Sequence, residues 1–341
     1  MRRGADLKHK IEALRCPMIY PDGAREVEVR ESHMSWVFLT ERFAYKMKKP
    51  VKFDRLDFST LALRRMHCEN ELILNRRLAP AVYLELVQLA CDEKGRISLN
   101  GKGECVEWLI QMVRLPTERK LERLVEEKRL RDEDIVSAIE LLLRFYRPAP
   151  PVHMPPREYR RRFASEIVAI TVELLSPRYD LPADLVHSTA AVLQAFLAES
   201  ASPLENRAGR VIDAHGDLRP QHIYVGPDPA IIDCLEFNRD LRLRDPLDEL
   251  SFLRLECDRL GDPHPGDLFI ARYRQALGDP APVAVIRFYA AFRAYERAKL
   301  AIGHLAGPEL PEPAAAAKWR ERTLTYLRLA TAYGEGSRYP A

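Results

Sequence analysis

The chain has no apolar run approaching the roughly 18 residues that span a bilayer, which argues against a membrane protein. Cysteine is sparse. Cys16, Cys68, Cys91, Cys105, Cys234 and Cys257 are scattered through 341 residues with no C-x-x-C pair. Zinc sites and a disulfide framework are therefore not expected, and a reducing cytoplasm fits. Neither sign of charge dominates: 53 basic and 50 acidic residues leave +3, so nothing global points to nucleic acid or a membrane surface. Met1 to Lys8 is charged and has no apolar stretch behind it, so a signal peptide is not expected. Internal repeats and low-complexity tracts are also missing. What is there, 47% hydrophobic and 30% charged residues, describes a globular chain, and its length favours two lobes over one core.

Alternation of apolar and polar residues predicts strands over 26–30, 35–40 and 43–47. A helix follows, capped by Ser59 or Thr60 and continuing toward Pro80. Strands are predicted again over 82–87 and 105–112, with turns at 92–95 and 100–103 between them. This gives a five-stranded antiparallel sheet with one helix, assigned to residues 1–112. From Pro116 onward the apolar spacing is helical over 121–125, 135–145, 163–175, 185–196 and 288–305, so residues 113–341 form a mainly helical lobe. The proline-rich stretch 147–156 is either a linker or a rigid loop within that lobe.

The motif with chemical content is Ala214-His215-Gly216-Asp217-Leu218-Arg219-Pro220-Gln221-His222-Ile223-Tyr224. Gly226-Pro227-Asp228-Pro229 turns the chain into Ala230-Ile231-Ile232-Asp233. A His-x-Asp loop, a short hairpin and a terminal Asp match what phosphoryl transfer needs. One carboxylate takes the proton of an acceptor hydroxyl, and another holds magnesium on the nucleotide phosphates. A bare His-Gly-Asp is weak, because turns use Gly and Asp freely. The strand-turn-strand context makes it stronger. The element order β-β-β-α-β-β is also that of a kinase N-lobe.

Further stretches carry a resemblance. They are Ser32-His33-Met34-Ser35-Trp36-Val37-Phe38-Leu39, Ala44-Tyr45-Lys46-Met47-Lys48-Lys49-Pro50-Val51, Leu56-Asp57-Phe58-Ser59-Thr60-Leu61 and Glu71-Leu72-Ile73-Leu74-Asn75-Arg76-Arg77-Leu78-Ala79-Pro80. Ile232-Asp233-Cys234-Leu235-Glu236-Phe237-Asn238 completes the set. With the loop motif, the chain resembles the aminoglycoside phosphotransferase and choline kinase superfamily over roughly residues 10 to 305. More closely, it is similar to a bacterial branch often labelled "aminoglycoside phosphotransferase family enzyme". Some members of that branch carry a further P-loop ATPase domain, and no G-x-x-x-x-G-K-[ST] occurs here.

The resemblance implies a two-lobed, protein-kinase-like α+β fold. It also implies roles residue by residue. Asp217 matches the catalytic base and Asp233 the metal-binding carboxylate. Lys46 matches the lysine on the α- and β-phosphates, and Glu71 the helix carboxylate that pairs with it. Lys48 and Lys49 are rivals for Lys46, and alternation puts 46 and 48 on one face and 49 on the other. Glu69 is the rival of Glu71. Order along the chain places adenine against the backbone from Gln111 to Val113. Arg244-Asp245-Pro246-Leu247-Asp248-Glu249-Leu250 resembles the superfamily's Asp-Pro-x-x-Asp-Leu segment. With His215, Asp248 would brace the catalytic loop. Arg219 would neutralise the transferred phosphoryl group, or pair with an acidic substrate or with Asp248. Arg293, Arg297 and Lys299 make a basic helix face, expected to be solvated.

Two departures stand out. The superfamily's asparagine five residues after the catalytic Asp is His222 here, and imidazole is a poorer ligand than oxygen for magnesium. The metal site, assigned to Asp233, His222 and Glu236, then works with one main carboxylate, or Gln221 or Glu236 takes part, or His222 fills another role. The loop 31–35 lacks the glycine of a phosphate-wrapping loop, leaving Ser32, Ser35 or His33 as candidate phosphate contacts. The expected activity is transfer of a γ-phosphoryl group from ATP or GTP, with Mg2+, to a hydroxyl of a small molecule in the cytoplasm. No Ala-Pro-Glu-type segment of protein kinases is found. The alternative is a nucleotide-binding pseudokinase acting as a scaffold or sensor. The sequence names neither the acceptor nor the oligomeric state.

Overall fold

The structure is a computed structural model. It describes residues 6–339 except 54–55, 200 and 308–311, and leaves out the side chains of 53, 201 and 202. Residues 1–5 of the charged N-terminal run therefore lie outside the described residues.

The strands in chain order are β1 (Glu28–Glu31), β2 (Ser35–Leu39), β3 (Phe43–Lys48), β4 (Lys52–Phe53), β5 (Leu56–Asp57), β6 (Tyr83–Cys91), β7 (Ile97–Leu99), β8 (Glu104–Val113), β9 (Ile212–Asp213), β10 (Ile223–Tyr224), β11 (Ala230–Ile231) and β12 (Leu243–Arg244). The helices are α1 (Leu7–Arg15), α2 (Leu61–Asn75), α3 (Leu121–Glu126), α4 (Asp132–Tyr146), α5 (Pro156–Leu174), α6 (Ala183–Glu199), α7 (Ala201–Glu205), α8 (Pro246–Arg259), α9 (His264–Leu277), α10 (Val283–Ile302) and α11 (Pro313–Gly334). None of the described helices is long and apolar enough to cross a membrane.

The residues cluster into two compact units. The first comprises Met1–Leu124, Glu133–Phe145 and Gln221–Leu241. Its antiparallel sheet has six strands in the order β1-β2-β3-β8-β6-β7, one more than the sequence suggests. The extra strand is β7, which pairs with the end of β6 through Leu89↔Leu99 and Cys91↔Ile97. Three residues between two turns are too few for alternation to mark.

Both faces of this sheet are buried. Phe38, Tyr45, Met47, Val87 and Leu109 pack with Leu14 of α1 on one face. Ala44, Ile110 and Met112 pack with Cys68 and Leu72 of α2 on the other. Each fully buried Phe, Leu or Met contributes roughly 1.5–3 kcal/mol. Thr60 caps α2, its hydroxyl accepting from the Leu63 amide at 3.2 Å. Arg64 of α2 grips Glu107 of β8 through two bonds of 2.8 Å, which fixes the helix on the sheet. The segment Gln221–Leu241, carrying the β10–β11 hairpin, packs with this unit although it lies a hundred residues downstream of the sheet.

The second unit comprises Val125–Asp132, Tyr146–Pro220 and Arg242–Ala341. Its centre is α8, buried from Pro246 to Asp258. A helix buried on every side must pair each charge it carries. Asp245, its N-cap, receives Arg207 at 2.6 Å, and Arg207 also holds Asp279 at 2.6 Å. Asp248 receives Arg293 of α10. Arg254 donates to Asp267 of α9 at 2.6 Å, and Glu256 accepts Tyr326 of α11 at 2.7 Å. The expected solvated face of α10 is thus corrected at Arg293 and Arg297. Arg293 is buried and paired with Asp248 and Glu296, and Arg297 lies 3.5 Å from Glu256. Asp248 and Glu256 stand more than about 40 residues away in sequence, beyond the reach of a helical-face argument.

Candidate functional site

Strand alternation places Lys46 and Lys48 of β3 on one face, the face covered by α2. Glu71 of α2 takes both. Lys46 Nζ donates to Glu71 Oε1 at 2.7 Å and to Asp233 Oδ1 at 3.0 Å. Lys48 Nζ donates to Glu71 Oε2 at 2.6 Å and to Glu236. The rivals go elsewhere: Glu69 binds Arg65 at 2.8 Å, and Lys49 binds Glu31. Lys46 keeps 17% of its side chain exposed, whereas Lys48 keeps 2%, so Lys46 is the more accessible of the two.

Burial works against each of these charges, and the pairing outweighs it. Desolvation pushes the Lys46 ammonium down, but the Asp233 and Glu71 carboxylates hold its pKa well above the ordinary lysine value. Burial pushes the Glu71 carboxyl up, and the two ammonium groups bring it below the ordinary carboxylate range. Lys46, Lys48 and Glu71 therefore stay ionised at neutral pH.

Asp233 follows β11 with φ at 60°, a left-handed backbone that Asp tolerates better than most residues. Its amide donates to the Tyr83 hydroxyl at 3.2 Å, and the Cys234 amide donates to Asn75 Oδ1 at 2.9 Å. The Ile232 amide donates to the His222 carbonyl at 3.0 Å. These contacts over-determine a conformation that would otherwise cost about 1–3 kcal/mol. The buried His222 ring stands with Nε2 3.9 Å from Asp233 Oδ2. Glu236, also expected near the metal, is engaged by Lys48.

Among the described residues no three His, Cys, Asp or Glu side chains are grouped as a metal site. That donor set does not suit a metal caged by protein alone. It does suit magnesium, which takes one or two carboxylates and completes its shell with phosphate oxygens and water. Asp233 keeps 42% of its side chain exposed.

In the second unit, β9 pairs with β12 and leads into the loop of Asp217. Gly216 turns the chain with φ at 87°, a value that favours glycine. The Asp217 amide donates to His215 Nδ1 at 3.2 Å, which assigns the ring proton to Nε2 in a fully buried histidine. Asp217 Oδ2 accepts Arg219 Nη2 at 2.5 Å. Asp217 also adds to the attraction that keeps Arg297 charged. Glu249 of α8 accepts the Gly216 amide of the loop, and Asp248, its neighbour, accepts Arg293. Glu249 also accepts Tyr146 Oη at 2.9 Å. Burial raises its carboxyl to about 7, with the Gly216 and Tyr146 hydrogen bonds opposing that rise. The sequence gives no sign that the second of two adjacent acids would face the loop.

Two further expectations meet a more closed arrangement. Ser32 Oγ accepts the amides of Met34 and Ser35 and lies 3.0 Å from Ser35 Oγ, so the serines tie the β1–β2 turn to itself. Gln111 sits in β8 with Tyr45 opposite on one side and Glu85 on the other, and the Val113 amide donates to the Val82 carbonyl at 2.9 Å. Backbone already used by a sheet is a poor partner for adenine.

No protein-family model matches the chain. In sequence it is similar to Uncharacterized protein Rv2004c of Mycobacterium tuberculosis and to Uncharacterized protein Mb2027c of Mycobacterium bovis. Each is 31% identical over 287 residues, which is 80% of this chain and 54% of the relative. The chain therefore spans about half the length of the curated relatives it matches. In structure it is similar to a choline/ethanolamine kinase family protein from Mesorhizobium loti, with a TM-score of 0.53 and 16% identity over 95% of this chain and 98% of that one. It is also similar to choline kinase from Cryptosporidium parvum Iowa II, with a TM-score of 0.54 and 10% identity over 97% and 98% of the two chains. The likeness to solved structures at this identity is one of fold, and it extends over nearly the whole chain. The chain has a two-lobed, kinase-like α+β fold, shared over nearly its whole length with these two solved structures.

Proposed function

We propose that this protein is a phosphotransferase that moves the γ-phosphoryl group of ATP or GTP to a hydroxyl of a small molecule. The observation that carries the reading is Lys46, held by the buried Glu71 and in contact with Asp233. A lysine so arranged is positioned to meet the α- and β-phosphates. Asp233, with His222 beside it, would hold magnesium, which supplies charge neutralisation on the phosphate oxygens. Asp217 takes the proton from the acceptor hydroxyl as the acceptor oxygen bonds to the γ-phosphorus, and the bond to the β-phosphate oxygen breaks. Arg219, bonded to Asp217, stands ready to offset charge on the transferred group. His215 and Glu249 hold the loop from which Asp217 projects. Six free cysteines accord with a cytoplasmic setting.

A metabolite screen tests this. Purified protein with ATP or GTP and magnesium is expected to label a non-protein acceptor, and Asp217→Asn is expected to lose that transfer by at least about a hundredfold. Nucleotide binding with no transfer, unchanged by Asp217→Asn, would instead support a pseudokinase that acts as a scaffold or sensor. The His222 substitution is the feature that favours that second reading.

A further inference from the structure

The charges around Glu71 form one alternating row: Asp233, Lys46, Glu71, Lys48, Glu236. Both ends of the row lie on the segment after β11, three residues apart. The middle belongs to β3 and α2. Two lysines two residues apart on one strand thus tie down two acids on one loop, with a single buried glutamate between them.

We propose that Lys48 and Glu236 are a positioning couple that holds the Asp233 segment in register when Lys46 lets go of Asp233. The inference rests on the phosphotransferase reading above. There, Lys46 turns to the phosphates and Asp233 to magnesium, so their 3.0 Å contact has to be given up. The Glu236–Lys48 tie remains, and nothing in the chemistry requires it to break. Lys48 is unsuited to ligand binding itself. It is almost fully buried, its ammonium is used by two carboxylates, and it lies 4.8 Å from the centre of the Phe58 ring. Its pull on Glu71 Oε2 also fixes the carboxylate rotamer, so that Oε1 keeps facing Lys46. Desolvating a second lysine beside the first costs energy that a purely structural site would avoid with an apolar side chain.

The test is nucleotide binding, measured by calorimetry with ATP and with a non-hydrolysable ATP analogue, in magnesium and in EDTA. Glu236→Gln is the main variant because it keeps the shape. Lys48→Met and the double variant complete a cycle, with thermal melting as a check on folding. The expected result is that Glu236→Gln lowers the magnesium-dependent gain in affinity about tenfold, as loss of an outer partner does at metal sites. Affinity in EDTA stays the same, and the double variant loses no more than the larger single loss. An unchanged magnesium-dependent gain in Glu236→Gln overturns the proposal. So does an equal fall in magnesium and in EDTA, which would mark the couple as structural support only. Absence of nucleotide binding in the wild type overturns the phosphotransferase reading and this inference with it. Normal wild-type binding with an unaffected variant overturns the inference alone.

Discussion

At the scale of residues, position within a charge network matters more than residue type. Lys46, Lys48 and Lys49 are chemically alike and nearly adjacent. Alternation separates Lys49, which binds the exposed Glu31, but cannot tell Lys46 from Lys48. Only the depth of burial does, and that depends on Phe58 and Glu236, which come from other parts of the chain. Arg207 shows the same dependence. In sequence it is one of many arginines; in the fold it is buried between Asp245 and Asp279. Replacing it with Met leaves two buried carboxylates without their cation. Arg207→Met is expected to destabilise the protein by ~3–5 kcal/mol, read as a shift in the denaturant midpoint. A loss under about 1 kcal/mol would mean that the carboxylates take up protons or water at little cost.

At the scale of elements, long periodic segments were legible and short ones were not. Alternation marks β2, β3, β6 and β8, and helical spacing marks α2 and α10. The three-residue strand β7 escapes because its pairing is decided by β6. The buried status of α8 escapes as well, since Asp248, Glu249, Arg254, Glu256 and Asp258 give it the composition of a surface helix. Its neighbours approach closely: a Cβ on Gly266 of α9 would lie 2.3 Å from the Arg254 Cα. Gly266→Ala is therefore expected to cost at least about 1–3 kcal/mol, measured by thermal or chemical unfolding. Glu249 gives α8 a pH signature. The folded protein keeps this proton to about pH 7, whereas the unfolded chain releases it near ~4.3. The site's contribution to stability is complete below the unfolded value and is lost as pH rises through 7, by up to ~3 kcal/mol. Glu249→Gln should flatten that fall, so that the melting-temperature gap between variant and wild type widens in the variant's favour from pH 5 to pH 8. A gap that is constant with pH would place the proton elsewhere.

At the scale of the whole molecule, the order of strands, helix and loop motifs and the resemblance they carry were enough to read the kinase-like fold. What stayed hidden was how the unit of Lys46 and Glu71 is completed by residues near 233, and how Glu249 takes the Gly216 amide of the Asp217 loop. Both depend on contacts across more than thirty residues. The central claim is that Lys46, Glu71 and Asp233 form a magnesium–nucleotide site while Asp217 serves the acceptor. The measurement that tests it most directly is titration of ATP and GTP against wild type, Asp233→Asn and Asp217→Asn at increasing magnesium. The account predicts magnesium-dependent binding in the wild type, loss of that dependence in Asp233→Asn, and its retention in Asp217→Asn. A wild type that binds neither nucleotide, or an Asp233→Asn variant that keeps the full magnesium dependence, would contradict it.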